Sequence, residues 1–422
     1  MIKTLFKTEF ARNIFSLSSF SVIAQVINFF LTIVLTRIYS PSDFGLLTIF
    51  ISVVSFIGVF SACKYDVALV VAKTREQGIS LLRLSFFITF LFSILSLLVV
   101  IIFKSYIKHY LEHPEIITWF YYTPLFLFFS SATQIFWMWN VREKKFKDIS
   151  ILRVLETSSN GGFSIILQSF GAIGLMIGSL ASQIVSSLYL GIRVFFRDKF
   201  NPFLFIKNDL KENAIAYSEF PKFNILQGLA DMFIITGIVL VGSRYFSIYT
   251  MGLYALCMRV LQLPMGLIIR PIAHVFFAEA SEIYRNGKDF YHLARKTVLR
   301  TALFASVIPI TLFIAGPFLF SLVFGAQWRE SGLLAQILSV WIFLDMIKAP
   351  IAQIPAIIGK QKEVLFWTIG VSSILLAVIA ASGHYLHNTP HIAFIAIAGY
   401  QCIQTVFFIF LFLKLSRKKL PG

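Results

Sequence analysis

The sequence is poor in charged residues, which make up only 14% of its 422 positions. Soluble globular proteins carry about 25% charged residues, so this composition excludes most classes of soluble enzyme. Hydrophobic residues make up 58% of the chain, and the mean hydropathy is +0.81. Because a bilayer span takes about 20 apolar residues, we expect a polytopic membrane protein with little room for a soluble domain.

Cysteine is scarce as well, and acidic residues are fewer than basic ones. Three cysteines lie in or at the edge of apolar runs: Cys63, Cys257 and Cys402. They indicate no disulfide framework. The net charge of +17 is expected from loops retained in the cytoplasm. No stretch is both basic and soluble enough to form a docking surface for nucleic acid, so we expect no nucleic-acid partner.

The sequence also lacks motifs of metal-dependent and nucleotide-driven proteins. It contains no G-x-x-x-x-G-K-[ST] motif, so we expect the chain to have no P-loop site for nucleotide hydrolysis. His384, His387 and His391 follow the spacing H-x-x-H-x-x-x-H. Pro390 interrupts the helix that would align them, so no zinc site is predicted. We expect no cofactor and no metal. We also expect that transport is driven by an ion gradient or by consumption of the product.

Apolar stretches of spanning length recur along the whole chain and predict twelve transmembrane helices. They lie at roughly 14–36, 46–63, 81–103, 116–139, 149–170, 172–195, 222–242, 250–276, 300–324, 332–359, 363–382 and 391–413. If the N-terminus is cytoplasmic, the inside segments hold 29 Lys and Arg residues and the outside loops hold 5. This imbalance predicts that both termini are cytoplasmic.

The largest segment between predicted spans, from about 197 to 220, divides the chain into two six-helix halves. We therefore assign residues 1–196 to an N-terminal bundle, 197–220 to a cytoplasmic connector and 221–422 to a C-terminal bundle. Apolar residues of the connector recur at helical spacing, with charges between them: Ile206, Leu210 and Ala214. This pattern predicts an amphipathic helix on the inner leaflet.

The connections after the first and the seventh predicted spans share a motif. Residues 37–46, RIYSPSDFGL, and residues 244–253, RYFSIYTMGL, both follow R-x-x-S-x-x-x-x-G-L at a constant offset of 207. Six spans per half is an even number, so the two halves are expected to share one orientation about a pseudo-twofold axis along the membrane normal. Parallel repeats of this kind form transporters with a substrate site at the repeat interface.

Polar residues inside the predicted spans fall at helical spacing and line helix faces. The stripes are Ser21, Gln25, Asn28 and Thr32 in the first span; Thr48, Ser52 and Ser55 in the second; Glu156, Asn160, Ser164 and Gln168 in the fifth; and Asn224, Gln227 and Asp231 in the seventh. Hydrogen bonding between helices is the simpler explanation for Ser and Thr. The amides and acids favour a wetted cavity, and we assign four amides to substrate binding: Gln25, Asn28, Asn224 and Gln227.

Two arginines lie inside the eighth predicted span, where an ionisable group costs about 2.5–3.5 kcal/mol and generally faces a cavity or a partner. Arg259 and Arg270 are 11 residues apart, which places them on one helix face about 16 Å apart. Two such cations can pass an anion across the membrane, and we assign both to substrate binding. In the alternative, Arg270 reaches the inner interface and Arg259 pairs with Asp231. Pro264 between them predicts a kink.

Two acids inside spans, Asp231 and Asp345, are candidates for coupling to an ion gradient. Asp231 has no cation within one turn of its own helix, so a proton or Na⁺ at its carboxylate can bias a conformational cycle. Asp345 and Lys348, one turn apart, are predicted to form an ion pair, which makes Asp345 the poorer switch. We assign Lys64 and Asp66, at the end of the second span, to the membrane interface.

The sequence around the repeated motifs resembles a known family. The run LTRIYSPSDFGLLTIFISVVSFIGVFSACKYDVALVVAK, at 35–73, resembles the signature of bacterial polysaccharide-biosynthesis membrane proteins, the Wzx-type O-antigen flippases. FPKFN at 220–224, GLYALCMRVLQLPMGLI at 252–268 and VFFAEASE at 275–282 resemble the second-half signature of the same family. Asp66 departs from the family pattern, in which Glu is commoner, but the charge is kept.

The resemblance implies the all-α integral membrane fold of the multidrug/oligosaccharidyl-lipid/polysaccharide exporter (MOP) superfamily, with two six-helix bundles in a V around a central cavity. It implies a substrate, an undecaprenyl-pyrophosphate-linked oligosaccharide for O-antigen, lipopolysaccharide or a related polysaccharide. This lipid would be moved from the inner to the outer leaflet of the bacterial cytoplasmic membrane. The expected partners are membrane lipids, H⁺ or Na⁺ as coupling ion, and the polysaccharide polymerase machinery.

Two other functions compete with this interpretation. A cation-coupled drug or metabolite antiporter of the same superfamily should favour acidic residues in its site, whereas this chain places Arg259 and Arg270 in its eighth span. A membrane enzyme, such as a repeat-unit polymerase or a lipid-dependent glycosyltransferase, should need a sizeable outside loop with catalytic residues. The predicted outside loops are short, so we expect a transporter rather than an enzyme.

Overall fold

The computed structural model describes residues 9–111, 115–198 and 207–417. In these ranges the chain folds into helices joined by short turns, and it forms no strand. Helices suit such apolar runs because a helix satisfies its own backbone hydrogen bonds, which lipid cannot do. The predicted all-α class is confirmed.

The helices fall in two groups along the chain. The first group is α1 (Glu9–Ile38), α2 (Pro41–Gly58), α3 (Tyr65–Val71), α4 (Arg75–Leu111), α5 (Glu115–Phe120), α6 (Thr123–Arg142), α7 (Phe146–Ile166), α8 (Ala172–Arg197), α9 (Lys207–Ala216) and α10 (Glu219–Gly242). The second group is α11 (Ile248–Leu261), α12 (Arg270–Arg285), α13 (Tyr291–Ala305), α14 (Val307–Phe324), α15 (Arg329–Lys348), α16 (Ile354–Ile357), α17 (Gln361–Leu386) and α18 (Pro390–Leu415).

Many of these helices can cross a membrane. In the described ranges, 8 helical segments are long and apolar enough, and 9 if Glu219–Phe233 and Ile235–Gly242 of α10 form one span. α6 and α7 occupy two further predicted spans but contain more polar residues, such as Asn140 and Glu156. The chain is therefore a multi-pass membrane protein, and the count of twelve spans stays a prediction.

The chain forms two compact units. The first comprises the chain up to Tyr39 together with Leu46–Leu240, and the second comprises Ser40–Gly45 with Val241–Gly422. By its contacts α10 therefore belongs with the first unit, although the sequence placed it at the start of the C-terminal bundle. The division of the chain into two bundles at 197–220 stays a prediction.

The connector helix α9 contacts the first unit through its apolar face. Leu210 and Ala214 pack against the hydrophobic core of that unit, and the Tyr65 hydroxyl donates to the carbonyl oxygen of Ala214 at 3.0 Å. The prediction that this face lies on the inner leaflet is therefore wrong for Leu210 and Ala214, because protein covers them. Ile206 lies outside the described residues.

Buried carboxylates join the ends of α6, α7 and α8 in the first unit. Asp148, whose side chain is 4% exposed, forms an ion pair with Arg193. Asp198 pairs with Lys145 and accepts a hydrogen bond from the Trp139 indole N–H at 2.9 Å. A buried carboxylate is stable only with such partners, so these contacts hold the ends of the three helices together.

The two copies of the repeated motif have the same local structure. Ser40 precedes α2, where its Oγ accepts from the backbone N–H of Asp43 at 3.3 Å and the Asp43 carboxylate accepts from the backbone N–H of Ser40 at 2.9 Å. Ser247 caps α11 and accepts from the backbone N–H of Thr250 at 3.2 Å. The serine of R-x-x-S-x-x-x-x-G-L is thus a helix N-cap in each copy.

The glycines of the two copies pack against one another within the second unit. A Cβ on Gly45 would lie 2.0 Å from the carbonyl oxygen of Ile248, and one on Gly252 would lie 1.7 Å from that of Pro41. Pro41 and Ile248 are themselves equivalent at the offset of 207, so the contact is reciprocal. The two motif copies therefore make equivalent contacts, whereas the relation of two six-helix halves by a pseudo-twofold axis stays a prediction.

Candidate functional site

A polar cavity of about 630 Å³ lies within the first unit, between α2, α3, α6, α7, α8 and α10. Its polar lining residues are Ser55, Ser61, Lys64, Asp66, Ser130, Ser131, Gln134, Asn160, Ser179 and Gln183. Polar and ionisable groups inside a bundle of apolar helices generally face a cavity of this kind. The stripes predicted in the second and fifth spans contribute Ser55 and Asn160. The cavity interpretation is confirmed for the amide Asn160, whereas Ser55 lines the cavity although hydrogen bonding between helices was the preferred explanation for serine.

A break in the helix places two charged residues in this cavity. α2 ends at Gly58 and α3 begins at Tyr65, and between them Cys63 and Lys64 have left-handed backbones with φ of 46° and 60°. This conformation costs about 1–2 kcal/mol for a residue other than glycine. Backbone strain of this kind clusters at functional sites. Here it brings Lys64 and Asp66 to the cavity wall.

Lys64 and Asp66 therefore line a cavity inside the helix bundle, and their assignment to the membrane interface stays a prediction. Asp66 is only 6% exposed, and Lys64 is half-buried. Counting along a continuous helix placed both residues beyond the end of the span, whereas the break turns the chain into the helix bundle. Residue counting cannot see such a break, because no glycine or proline marks it in the sequence between Gly58 and Tyr65.

Arg142, at the end of α6, holds the broken segment in place. Its guanidinium donates to the carbonyl oxygens of Leu69 at 2.9 Å, Ala72 at 2.7 Å and Thr74 at 2.8 Å. These carbonyls lie at or just beyond the C-terminal end of α3, where helix carbonyls lack partners and the helix dipole favours a cation. Arg142 thereby fixes the helix whose first turn carries Asp66.

Lys64 interacts with carboxylates on two other parts of the first unit. Its ammonium lies against α10, where a Cβ on Gly228 would be 3.1 Å from Nζ. From this position Lys64 interacts electrostatically with Asp66 on α3 and with Asp231 on α10. The sequence argument considered only the helix of Asp231 itself, and the structure adds a cation from another segment of the first unit.

Amide groups contribute to the lining of the same cavity. The Asn160 side chain donates to Ser179 Oγ at 3.1 Å, and the Gln183 side chain donates to the Glu156 carboxylate at 3.1 Å. Amides and hydroxyls provide both donors and acceptors. Together with the ammonium of Lys64, they suit a ligand that carries many hydroxyl groups and a negative charge.

Two amides of this site do not belong to any predicted stripe. Gln134 in the fourth predicted span and Gln183 in the sixth are single amides between apolar or small residues, so helical periodicity did not mark them. They could have been found because burying an amide in an apolar span costs free energy unless the amide has a polar neighbour or faces a cavity. That signal predicts a polar partner without saying on which helix it lies.

The predicted stripes of the first and seventh spans contribute less to the cavity than expected. Gln25 and Asn28 are half-buried on α1 and are not part of the cavity lining. The Thr32 hydroxyl donates to the carbonyl oxygen of Asn28 at 2.6 Å. On α10, Asn224 is half-buried and Gln227 is exposed. A role of these four amides in substrate binding stays a prediction.

The eighth predicted span is not one regular helix. α11 ends at Leu261, a π-helical turn follows Pro264 and covers Met265–Ile269, and α12 begins at Arg270. A π-turn holds more residues than an α-helical turn, so 11 residues no longer make three whole turns. The argument that Arg259 and Arg270 share one helix face therefore does not hold.

These two arginines also differ in their surroundings. Arg259 is half-buried, and in the described part of the second unit it has no ion-pair or hydrogen-bond partner. Arg270 is exposed. A buried cation without a partner is costly, which makes Arg259 the stronger candidate for binding an anion. Their role in substrate binding stays a prediction.

The ion pair predicted in the tenth span is present on α15. Lys348 Nζ lies 2.5 Å from Asp345 Oδ1, and both side chains are partly exposed. The pairing is confirmed, whereas a role of Asp345 and Lys348 in ion coupling stays a prediction.

The fold of the chain is similar to that of known transporters. The lipid II flippase MurJ in an inward closed conformation aligns with a TM-score of 0.75 over 95% of this chain and 89% of that chain, at 14% identity. An inward-facing multidrug resistance MATE family transporter of the MOP superfamily aligns with a TM-score of 0.66 over 95% and 94%, at 13% identity. A MOP superfamily transporter from Pyrococcus furiosus aligns with a TM-score of 0.59 over 97% of each chain, at 13% identity. The fold is that of MOP superfamily transporters.

A family comparison agrees with the fold. No curated protein matches this chain. The family described as polysaccharide biosynthesis protein matches residues 34–332, a region that includes both copies of the repeated motif and the cavity of the first unit. Because this match extends over more than half of the chain, the protein belongs to the polysaccharide biosynthesis protein family.

Proposed function

We propose that the protein is a flippase for undecaprenyl-pyrophosphate-linked oligosaccharides, which it moves from the inner to the outer leaflet of the bacterial cytoplasmic membrane. The observation that carries the proposal is the polar cavity of the first unit, where a cation, amides and hydroxyls meet inside apolar helices. Membership of a polysaccharide biosynthesis family and the fold of a lipid II flippase support a lipid-linked sugar as the substrate. Repeat units of O-antigen or a related surface polysaccharide fit this chemistry.

We assign different parts of this substrate to different residues. Lys64 binds the pyrophosphate, because an ammonium forms charge-assisted hydrogen bonds with phosphate oxygens. Asn160 and Gln183 bind sugar hydroxyls, since each amide offers both a donor and an acceptor. Arg259 of the second unit does not line this cavity, and we expect it to bind the pyrophosphate separately as the lipid crosses the membrane.

The shared position of Lys64 suggests how transport is coupled to an ion gradient. Lys64 interacts electrostatically with both Asp66 and Asp231 and favours their charged forms as long as the cavity holds no anion. A pyrophosphate bound to Lys64 competes for this charge and leaves the buried carboxylate of Asp66 and the exposed carboxylate of Asp231 with less compensation. They then take up a proton or Na⁺, because an uncompensated charge in a low-dielectric site is unfavourable.

One observation favours an antiporter of cationic drugs or metabolites as a second candidate. The buried carboxylate of Asp66 lines the cavity, and a multidrug resistance MATE family transporter shares the fold. Lys64 beside Asp66 argues against this function, since its charge repels a cationic ligand. The two functions make opposite predictions for the loss of Lys64.

Flipping by purified protein in proteoliposomes tests the proposal. We expect the wild type to move a lipid-linked oligosaccharide, and Lys64→Asn to reduce this rate about tenfold or more through the loss of a charge-assisted contact. Asn tolerates the left-handed backbone at position 64, so the substitution removes the charge without adding strain. Lys73→Asn, an exposed position just after α3, is the matched control and should flip normally.

Three outcomes would count against the proposal. A folded wild-type protein that leaves the lipid-linked sugar in its original leaflet would overturn it. Equal rates for Lys64→Asn and the wild type would remove Lys64 from the binding site. Faster export of a cationic dye by Lys64→Asn than by the wild type would favour the antiporter.

Asp231→Asn tests the coupling mechanism in the same vesicles. We expect wild-type flipping to change when a pH or Na⁺ gradient is imposed, and Asp231→Asn to lose this response while remaining folded, because an amide cannot take up a proton or bind Na⁺ as a carboxylate does. Asp345→Asn is the control, since Asp345 has its own partner in Lys348 and should respond more nearly like the wild type. Wild-type flipping that ignores both gradients would show a facilitator driven by consumption of its product.

A further inference from the structure

We infer that the second unit binds the headgroup of an anionic phospholipid in a pocket between α12 and α13. The pocket has a volume of about 570 Å³ and lies wholly within residues 271–304. It shares no residue with the cavity of the first unit or with the residues assigned to transport. The inference therefore goes beyond the proposed function and does not rest on it.

One face of α13 supplies most of the polar wall. Its lining residues recur with helical spacing: Leu293, Lys296, Thr297, Arg300, Thr301 and Phe304. This face places two cations and two hydroxyl groups next to each other along one side of the pocket. The opposite wall, on α12, carries Val275, Phe276 and Glu279.

The two cations of this face are available to a ligand. Lys296 and Arg300 are both exposed, and neither has an ion-pair partner in the part of the chain that the structure describes. Like charges at i and i+4 on a helix repel each other, so this pair is unfavourable until an anion lies between them. Glu279 is the one acidic residue of the lining, which leaves the pocket with a positive charge.

A buried hydroxyl gives a second, independent indication of a ligand. Thr301 lines the pocket and is 1% exposed, yet its Oγ1 has no hydrogen-bond partner among the described residues. Threonine inside a helix commonly donates to the carbonyl four residues earlier, and a buried hydroxyl without a partner is unfavourable. A phosphate oxygen between Lys296 and Arg300 would accept from both groups, and from the Thr301 hydroxyl once that side chain turns into the pocket.

The apolar surfaces identify the ligand as a lipid rather than a free anion. Phe276, only 2% exposed, forms the floor of the pocket, whereas Val275 and Phe304 are 59% and 70% exposed at its rim. Exposed apolar side chains beside a phosphate site suit acyl chains. The charge count places this end of α13 at the cytoplasmic leaflet, which carries anionic phospholipids, and basic pockets between transmembrane helices on this side bind their headgroups.

Thermal unfolding of the full-length protein in neutral detergent tests the inference. Phosphatidylglycerol is expected to raise the Tm in a saturable way, whereas phosphatidylcholine at the same mole fraction is not. In the double variant Lys296→Gln/Arg300→Gln, the apparent Kd for phosphatidylglycerol should rise at least about tenfold, because two charge-assisted contacts are lost. Lys288→Gln, an exposed cation in the loop before α13 that does not line the pocket, is the matched control.

Thr301→Val separates ligand binding from folding. Valine keeps the shape of threonine and removes the buried hydroxyl, so the Tm without lipid should stay the same or rise, while the affinity for phosphatidylglycerol falls severalfold. Unchanged affinity in both the double variant and Thr301→Val would overturn the inference. Equal stabilisation by phosphatidylcholine or by inorganic phosphate would do the same, as would displacement of phosphatidylglycerol by an equal mole fraction of a lipid-linked oligosaccharide.

Discussion

Arg142→Met is expected to destabilise the first unit by about 3 kcal/mol and to impair transport. The guanidinium donates to three carbonyl oxygens, those of Leu69, Ala72 and Thr74. Methionine keeps much of the side-chain volume but leaves these carbonyls without their donor. Because Arg142 touches the segment that carries Asp66 rather than the cavity itself, we expect it to act as a positioning residue.

Thermal unfolding and flipping rates of matched variants measure this effect. Arg142→Lys should recover only part of the stability, since one ammonium cannot reach three carbonyls as the planar guanidinium does. Lys147→Met removes an exposed cation five residues further along the chain and should leave both measurements unchanged. Wild-type stability and transport in Arg142→Met would contradict the positioning role.

The thiol of Cys63 reports on the same segment without a transport assay. It is half-buried in the left-handed turn before α3. With Cys257 and Cys402 replaced by alanine, a thiol reagent should modify Cys63 faster in Arg142→Met than in the wild type, because α3 loses its anchor. Equal rates in the two proteins would show that the turn keeps its structure without Arg142.

Gly252→Ala is expected to cost about 3 kcal/mol, more than most substitutions of a glycine by alanine. The new Cβ would lie 1.7 Å from the carbonyl oxygen of Pro41 and 2.9 Å from the backbone nitrogen of Gly45. Backbone atoms cannot move aside as a flexible side chain can, so the start of α2 and the start of α11 must separate. Loss of thermal stability of the full-length protein measures this cost.

Gly399→Ala provides the matched control within the second unit. This glycine lies inside α18 and has nothing within 4 Å of the position of a Cβ, so alanine should be neutral or stabilise the helix by up to about 1 kcal/mol. Gly45→Ala should cost about as much as Gly252→Ala, since its Cβ would lie 2.0 Å from the carbonyl oxygen of Ile248.

The double variant Gly45→Ala/Gly252→Ala tests the reciprocal contact itself. Either alanine alone separates the starts of α2 and α11, so adding the second alanine disrupts little more. The double variant should therefore lose little more thermal stability than one single variant. Fully additive losses would show that the two glycines act at independent contacts.

The amino-acid sequence by itself determined the features that depend on neighbours along the chain. Apolar runs predict helices because lipid leaves backbone groups no other partner. Ser40 and Ser247 at an offset of 207 predicted a repeat, and both are N-caps, since capping depends on the next three residues. The Asp345–Lys348 pair was predictable for the same reason, because one helical turn brings the two side chains together.

Only the tertiary structure decided which distant residues share one site. Lys64 reaches Asp231 because the helix breaks at a left-handed turn and because Gly228, on another helix, leaves room for its side chain. A strained turn persists only where surrounding contacts hold it. Here Ser131 and Thr89 donate to Ser61 within the turn, and Arg142 fixes the end of the helix that follows. Helical periodicity reports the face of one helix and carries no information about the helix packed against it, so it could not place Lys64 in the cavity.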